Sequence, residues 1–215
     1  MRFAEFKIIN EITTPIDSIL GMANRLTGTD DGSNDSSFIS NTLGKIGSFL
    51  QPSKTNISNL AVIQDPDFTN KLNKIANALG VKSSDLLTIM NFESRVDPSK
   101  YNETGSGAVG LIQFMPDTAA ALGTSTAKLS KMSAVEQLDY VYLYYKQYIR
   151  PGASLSDLYL ATFYPAALNQ SDNFVIGKQG AAGILGAIYS QNAAALDINK
   201  DGVITVGDVR SAIKS

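Results

Sequence analysis

The chain of 215 residues contains no cysteine and no histidine. Without cysteine there is no disulfide, thiol nucleophile or zinc–thiolate site. Without histidine there is no Ser-His-Asp triad and no imidazole-ligated metal. Acid–base chemistry therefore falls to carboxylates, lysine or tyrosine. Charge is also scarce. Charged residues make up 18% of the chain and the formal net charge is −2, so the surface draws on Ser, Thr, Asn and Gly, and no Lys/Arg run supplies the basic stripe that a nucleic-acid partner requires. Long apolar runs are missing too, and no membrane span is expected. Glu5, Lys7, Glu11 and Asp17 interrupt the first apolar pieces before a secretory core can form, so no signal peptide is expected and a substrate outside the cytoplasm would have to be reached by another route. The 44% of hydrophobic residues is enough to fill the core of one substantial domain, with chain left over.

Three segments follow from the pattern: 1–64, 65–190 and 191–215. The first is an extension. It holds scattered apolar residues, a small polar linker at 27–37 (TGTDDGSNDSS), and Phe38, Ile39, Leu43, Ile46, Phe49 and Leu50 at roughly helical spacing. It reads either as a partly ordered arm on the main domain or as a docking segment for a larger assembly. From Asp65 the helical signal sharpens. Phe68, Leu72, Ile75, Ala76 and Leu79 make one face, with Gly80 placed as a C-cap. Ser83 or Ser84 is expected to cap a second helix carrying Leu86, Leu87, Met90 and Glu93. Ser133 and Glu136 form a capping box for a long helix whose face is expected to be Val135, Leu138, Val141, Tyr142 and Tyr145. Ser154 and Asp157 suggest another start, and a further helix is expected near 181–196. No strand pair or hairpin signal is visible, so the class is all-α.

Leu86, Met90 and Glu93 are spaced i, i+4, i+7 and share a helix face. A carboxylate ending an apolar stripe loses water, which raises its pKa, and the negative end of the helix dipole acts in the same direction. Asp97-Pro98 ends that helix soon after Glu93. A carboxylic acid kept protonated near neutral pH suits protonation of a glycosidic oxygen. From position alone Glu93 reads equally as a structural acid, paired with Arg95 or capping a turn. Downstream, Gly105, Gly107 and Gly110 allow tight turns, and Gln113 is an amide between Ile112 and Phe114 that needs hydrogen-bond partners. Those partners could be a ligand or local backbone. Pro116 suits the first turn of a new helix.

Glu93-Ser94, Asp97-Pro98 and the run Gly107-Ala108-Val109-Gly110-Leu111-Ile112-Gln113-Phe114-Met115-Pro116 together resemble the soluble lytic transglycosylase family, which has a lysozyme-like fold related to goose-type lysozyme. GLIQFMP followed by SAVEQLDYV is similar to the branch found in bacteriophage particles and phage lysins. The resemblance covers about Phe68 to Tyr164. It implies that Glu93 is the catalytic acid and cuts the bond between N-acetylmuramic acid and N-acetylglucosamine in peptidoglycan, closing a 1,6-anhydro ring without water. It also implies substrate-binding roles for Ser94, Gln113, Phe114, Met115 and Tyr164. The cluster Tyr140, Tyr142, Tyr144, Tyr145 and Tyr148 on the long helix reads mostly as core and surface of that helix, with Tyr140 the one expected to stack on sugar. Hydrolysis of the same bond, as by a lysozyme or endolysin, stays open, because Asp97, Glu103 and Asp117 lie near in sequence. So does a non-catalytic, glycan-binding component of a virion. Where the family carries a Tyr-Asn-Ala-Gly turn, this chain reads Ala161-Thr162-Phe163-Tyr164-Pro165-Ala166, and either Phe163 or Tyr164 takes the place of the tyrosine. The expected location is a phage virion, at the tail or baseplate, with residues 1–64 docking to tail or baseplate proteins.

Residues 197–208, DINKDGVITVGD, follow the pattern of an EF-hand calcium loop. Asp197, Asn199 and Asp201 would give side-chain oxygens, Val203 its carbonyl, Thr205 a hydroxyl or a bound water, and Asp208 the last carboxylate. Gly202 makes the turn and Ile204 points inward. The other reading is an Asx-rich turn between helices. Calcium is thus the one cofactor expected, as a structural clip near the C-terminus.

Overall fold

A computed structural model describes residues 57–102 and 105–213. The linker at 27–37, the apolar pattern at 38–50 and Glu103 lie outside the described residues. Helix α1 (Ile57–Gln64) leads directly into α2 (Pro66–Leu79). Asp65 caps α2 by accepting the Asp67 N–H at 2.9 Å, and Pro66 fills the first helical position, where its missing N–H costs nothing. The expected face of α2 is buried at every position: Phe68, Leu72, Ile75, Ala76 and Leu79. Gly80 closes the helix with φ 70°. A Cβ there would lie 2.6 Å from Pro151 Cβ, so this turn must be glycine for contact as well as conformation.

Helix α3 (Ser83–Ser94) is the centre of the domain. Its first eight residues, Ser83 to Met90, are all buried. The N-cap is Lys82, in extended conformation and without a side-chain capping bond. The expectation that Ser83 or Ser84 would cap is therefore corrected: both serines sit inside the first turn, and Thr88 Oγ1 bonds back to the Ser84 carbonyl at 2.8 Å. A helix packed on all sides is held by its neighbours and has little need of a cap. Burial without an ionic partner of full strength also raises the pKa of Asp85, with Lys82 and Ser84 opposing the shift.

Two short helices, α4 (Pro116–Ala121) and α5 (Thr126–Leu129), lead to the long α6 (Ala134–Tyr148). Both sides of the expected capping box are present, with Ser133 Oγ taking the Glu136 N–H and the Glu136 carboxylate taking the Ser133 N–H. The same device opens α7 (Leu155–Phe163) with Ser154 and Asp157. The buried face of α6 is rotated from the expected one. It comprises Ala134, Gln137, Leu138, Val141, Tyr144 and Tyr145, while Val135 and Tyr142 are half-buried. α6 packs along α2, and α3 packs on α2 and α7.

After α7 a short 3-10 turn (Pro165–Ala167) leads to β1 (Val175–Lys178), α8 (Gly183–Leu196), β2 (Val203–Thr205) and α9 (Val206–Ala212). β1 and β2 pair antiparallel with a bulge between Val175 and Gly177. The domain is mostly helical, but the expectation of no strand pair is corrected. The strands are four and three residues long and a whole helix separates them, so no tight-turn signal marks the pair. Ile176 and Ile204 are buried beneath this ribbon, as are Ile188 and Leu196 of α8. No helix among the described residues is long and apolar enough to cross a membrane.

Candidate active site

Glu93 lies one residue before the end of α3. The helix closes through Arg95 and Val96, both in the left-handed region with φ 57° and 60°. Their N–H groups return to the carbonyls of Asn91 (3.0 Å) and Met90 (3.2 Å). This is a Schellman-type closure made without glycine. A valine at positive φ is strained, and strain of this kind costs of order 1–3 kcal/mol and gathers at functional sites.

The Glu93 side chain is half-buried, and its Oε1 is sealed from solvent with no hydrogen-bond partner. Loss of water is the cause that pushes its pKa well above the usual carboxylate range. Arg95 is exposed, and no charge partner contributes to the shift of Glu93. Three buried tyrosines stand close enough for the charge of Glu93 to push their own pKa values up, after the larger effect of burial: Tyr144, Tyr145 and Tyr159.

Two of these tyrosines fix the end of α7. Tyr144 Oη donates to the Ala161 carbonyl at 2.7 Å, satisfying one of the carbonyls that the last turn of α7 leaves open. Thr162 Oγ1 donates to the Leu158 carbonyl at 3.0 Å, so at the 2.7 Å contact between Tyr145 Oη and Thr162 Oγ1 the tyrosine is the donor. Phe163 is buried and stacks on Tyr159 with centroids 5.4 Å apart. Tyr164 is half-buried and forms the C-cap. The end of α7 is therefore shaped by Phe163 in the core and by tyrosines from α6.

The loop after α3 is laced to itself. Val109 and Phe114 exchange backbone hydrogen bonds at 3.1 and 2.8 Å, Gly110 N–H reaches the Lys100 carbonyl at 2.9 Å, and Asn102 N–H reaches Ala108 at 2.9 Å. Gln113 turns at φ 51° and its amide nitrogen donates to the carbonyls of Lys100 and Gly110, both at 3.1 Å. Both amide protons are thus used on local backbone, and only the amide oxygen is left for a ligand.

Two residues expected to touch sugar are placed elsewhere. Ser94 is 3% exposed, and its one hydroxyl proton is shared between the carbonyls of Met90 and Leu111, each at 3.0 Å. Phe114 is 2% exposed and meets Tyr144 edge-on at 6.5 Å. Both hold the loop from inside. Met115 is half-buried at the N-cap of α4, and Tyr140 is half-buried at the margin of the core. The tyrosines of α6 that stand near Glu93 are Tyr144 and Tyr145.

Gln137 was not singled out in the sequence. It is fully buried on α6. Its Oε1 accepts the Leu111 N–H at 2.9 Å, and its Nε2 donates to the carbonyls of Pro98 (2.6 Å) and Leu129 (2.8 Å). The available signal was a polar residue at a position where the apolar stripe of α6 continues on both sides.

At the C-terminus, Lys200 (φ 58°) and Gly202 (φ 84°) are in the left-handed region, and Ile204 is fully buried. The Asp197 carboxylate accepts from the N–H groups of Asp201 (3.1 Å) and Gly202 (3.2 Å) and from Tyr189 Oη (2.7 Å). The tyrosine bond leads the causes that hold its pKa below the usual range. Asn199 bonds Asp201, and Asp201 Oδ1 takes the Val203 N–H at 2.8 Å. Asp208 forms a capping box with Thr205 at the start of α9. The donor set is all oxygen, which suits a hard cation. With Asp208 in its cap, no group of three or more His, Cys, Asp or Glu gathers among the described residues.

Residues 70–139 match the family model described as Transglycosylase SLT domain. The match spans about a third of the chain and includes Glu93, the loop to Gln113 and the start of α6. No curated protein and no solved structure matches the chain.

The raised pKa of Glu93 has a consequence for stability. A carboxyl whose folded pKa lies above its unfolded one binds its proton more tightly when folded. Stability is then fully present below the ordinary value near 4.5 and falls as pH rises towards the folded pKa. Glu93→Gln removes that loss. The variant should melt at a higher temperature than the parent near neutral pH, with the difference shrinking towards pH 4. Thermal melts at several pH values check this, and a difference that does not vary with pH would contradict it.

Proposed function

We propose that the protein is a peptidoglycan lytic transglycosylase. The observation that carries this reading is the desolvated carboxyl of Glu93, set at the end of the central helix within the segment that matches the Transglycosylase SLT domain. The protonated acid gives its proton to the oxygen bridging N-acetylmuramic acid and N-acetylglucosamine, and the muramic C1–O bond breaks. The substrate's own N-acetyl group steadies the cationic centre. The carboxylate left behind takes the proton of the muramic C6 hydroxyl, whose oxygen closes on C1. The products are a free N-acetylglucosamine end and a 1,6-anhydro end, and Glu93 regains its proton. One carboxyl thus serves as acid and then base, and no second carboxylate is needed. Asp97 is engaged in a turn of its own, with Oδ1 accepting from Ser99 N–H and Oγ at 2.8 and 2.7 Å. Gln113 Oε1, Met115, Tyr140 and Tyr164 are the proposed substrate contacts.

Purified sacculi digested by the protein should yield muramic ends lighter by one water than hydrolysed ends, read by mass spectrometry. Ends at full mass would instead identify a hydrolytic lysozyme. Glu93→Gln should lower the rate by at least about 100-fold, in line with loss of a general acid. Undiminished clearing by that variant would mean that Glu93 is not the catalyst, and a parent protein that binds sacculi without releasing any product would leave glycan binding as the function.

Residues 197–208 are proposed to hold calcium through Asp197, Asn199, Asp201, the Val203 carbonyl, Thr205 and Asp208. The ion supplies charge that ties the loop together and has no part in the reaction. Added calcium should raise the melting temperature and a chelator should reverse it; identical melts in both conditions would remove the ion from the account.

The chain is further proposed to travel in a phage virion, at the tail or baseplate, with residues 1–64 as the docking segment and the cell wall or periplasm of the host as its place of action. This rests on the sequence resemblance alone. Mass spectrometry of purified particles should find the protein. Its presence free in the lysing cell but not in particles would mean an endolysin instead.

A further inference from the structure

We infer that Gln137 is a positioning residue for Glu93, acting through the backbone on either side of the loop that carries Gln113. The inference rests on Glu93 being the acid. A buried amide is costly unless each of its hydrogen-bonding groups is satisfied. Gln137 meets that condition completely: one acceptor bond and two donor bonds, all to backbone, none to solvent. An apolar residue would fill the same space on α6 without this requirement, so what the amide adds is geometric definition rather than burial.

Two of the three bonds reach the segment that follows Glu93, and the third ties Gln137 to Leu129 at the end of α5. Pro98 is held directly, 39 residues away in sequence. Leu111 is held by its N–H, 26 residues away. The carbonyl of the same Leu111 accepts from Ser94 Oγ at 3.0 Å. The two peptide units that flank Leu111 are thus each held, one by Gln137 on α6 and the other by the residue next to Glu93 on α3. The stretch from Ser94 to Pro98 includes the strained Arg95 and Val96, and it is tied to Gln137 at both ends.

Gly110 shows how close the fit is. It sits at φ 81°, and a Cβ there would lie 2.4 Å from Gln137 Oε1. The amide therefore dictates which residue the loop can place beside it. No titratable group lies in this contact set, so Gln137 acts on Glu93 only through position. If the grip is lost, the last turn of α3 is free to shift and water reaches Oε1. The pKa of Glu93 then falls towards its ordinary range, and the acid is lost at the pH where it is needed.

The test uses Gln137→Met and Ser94→Ala in the full chain, with soluble uncrosslinked glycan strands as substrate, at a temperature well below each variant's melting point. Gln137→Met keeps the volume and removes all three bonds. Ser94→Ala cuts the link to Leu111 and leaves Gln137 in place. For Gln137→Met, kcat should fall at least tenfold with KM within twofold of the parent. The alkaline limb of the kcat profile should move to lower pH, and Ser94→Ala should move it the same way by less. A folded Gln137→Met whose melting temperature drops while the alkaline limb stays put would show a structural role alone and overturn the inference, whatever happens to kcat. If Gln137→Met does not fold, Ser94→Ala decides: a shifted limb supports the relay and an unshifted one overturns it. Glu93→Gln is run alongside. If it is inactive while the limbs do not shift, only this inference fails; if it is active, the role of Glu93 fails first.

Discussion

Removing water from one carboxyl is the constraint on which the rest of this structure turns. An acid with a sealed, unpartnered oxygen is unstable when ionised, and it stays where it is only because the surrounding helices leave it no alternative. α3 is buried over its first eight residues, so it cannot rotate to carry Glu93 towards solvent. Tyr144, Tyr145 and Tyr159 stand close enough to the acid to feel its charge. Burial raises the pKa values of their hydroxyls, so they stay neutral and place no charge beside the acid. Two of them spend their hydrogen bonds on the end of α7, and this locks the distance between α6 and α7 behind the acid.

The loop beyond Glu93 answers a different demand. It must turn sharply twice and still present a rigid surface. Left-handed residues at Arg95, Val96 and Gln113 store strain there, and the strain is held by bonds to α3, to Lys100 and to Gln137. Ser94 and Phe114, which invite a reading as ligand contacts from their place in the motif, turn out to be internal struts. Motif membership and exposure are separate properties here: both residues belong to the motif, and both are buried within the fold.

The parts legible in the sequence share a physical character. The face of α2, the caps at Ser133 and Ser154, the first-turn Pro116 and the apolar spacing of Glu93 all follow from residues within one or two helical turns of each other. What escaped depends on partners far along the chain. Gln137 is explained only by Pro98, Leu111 and Leu129. Tyr144 and Tyr145 read as a generic aromatic cluster until Ala161 and Thr162 are brought opposite them. The β1–β2 ribbon escaped because its two strands are a helix apart and too short to show alternation. Ser83 and Ser84 misled because capping preference is weak where packing already fixes the helix.

The double grip on Leu111 also bears on how the molecule opens. Its N–H has a side chain, not a helix or sheet ladder, as its partner, and that side chain belongs to α6. Exchange of this single amide with solvent deuterium therefore requires α6 and the loop to part, whereas the amides within α3 and α6 report only on the unwinding of those helices. The Leu111 amide is thus a built-in gauge of the parting of α6 from the loop, readable at one position and separable from global unfolding.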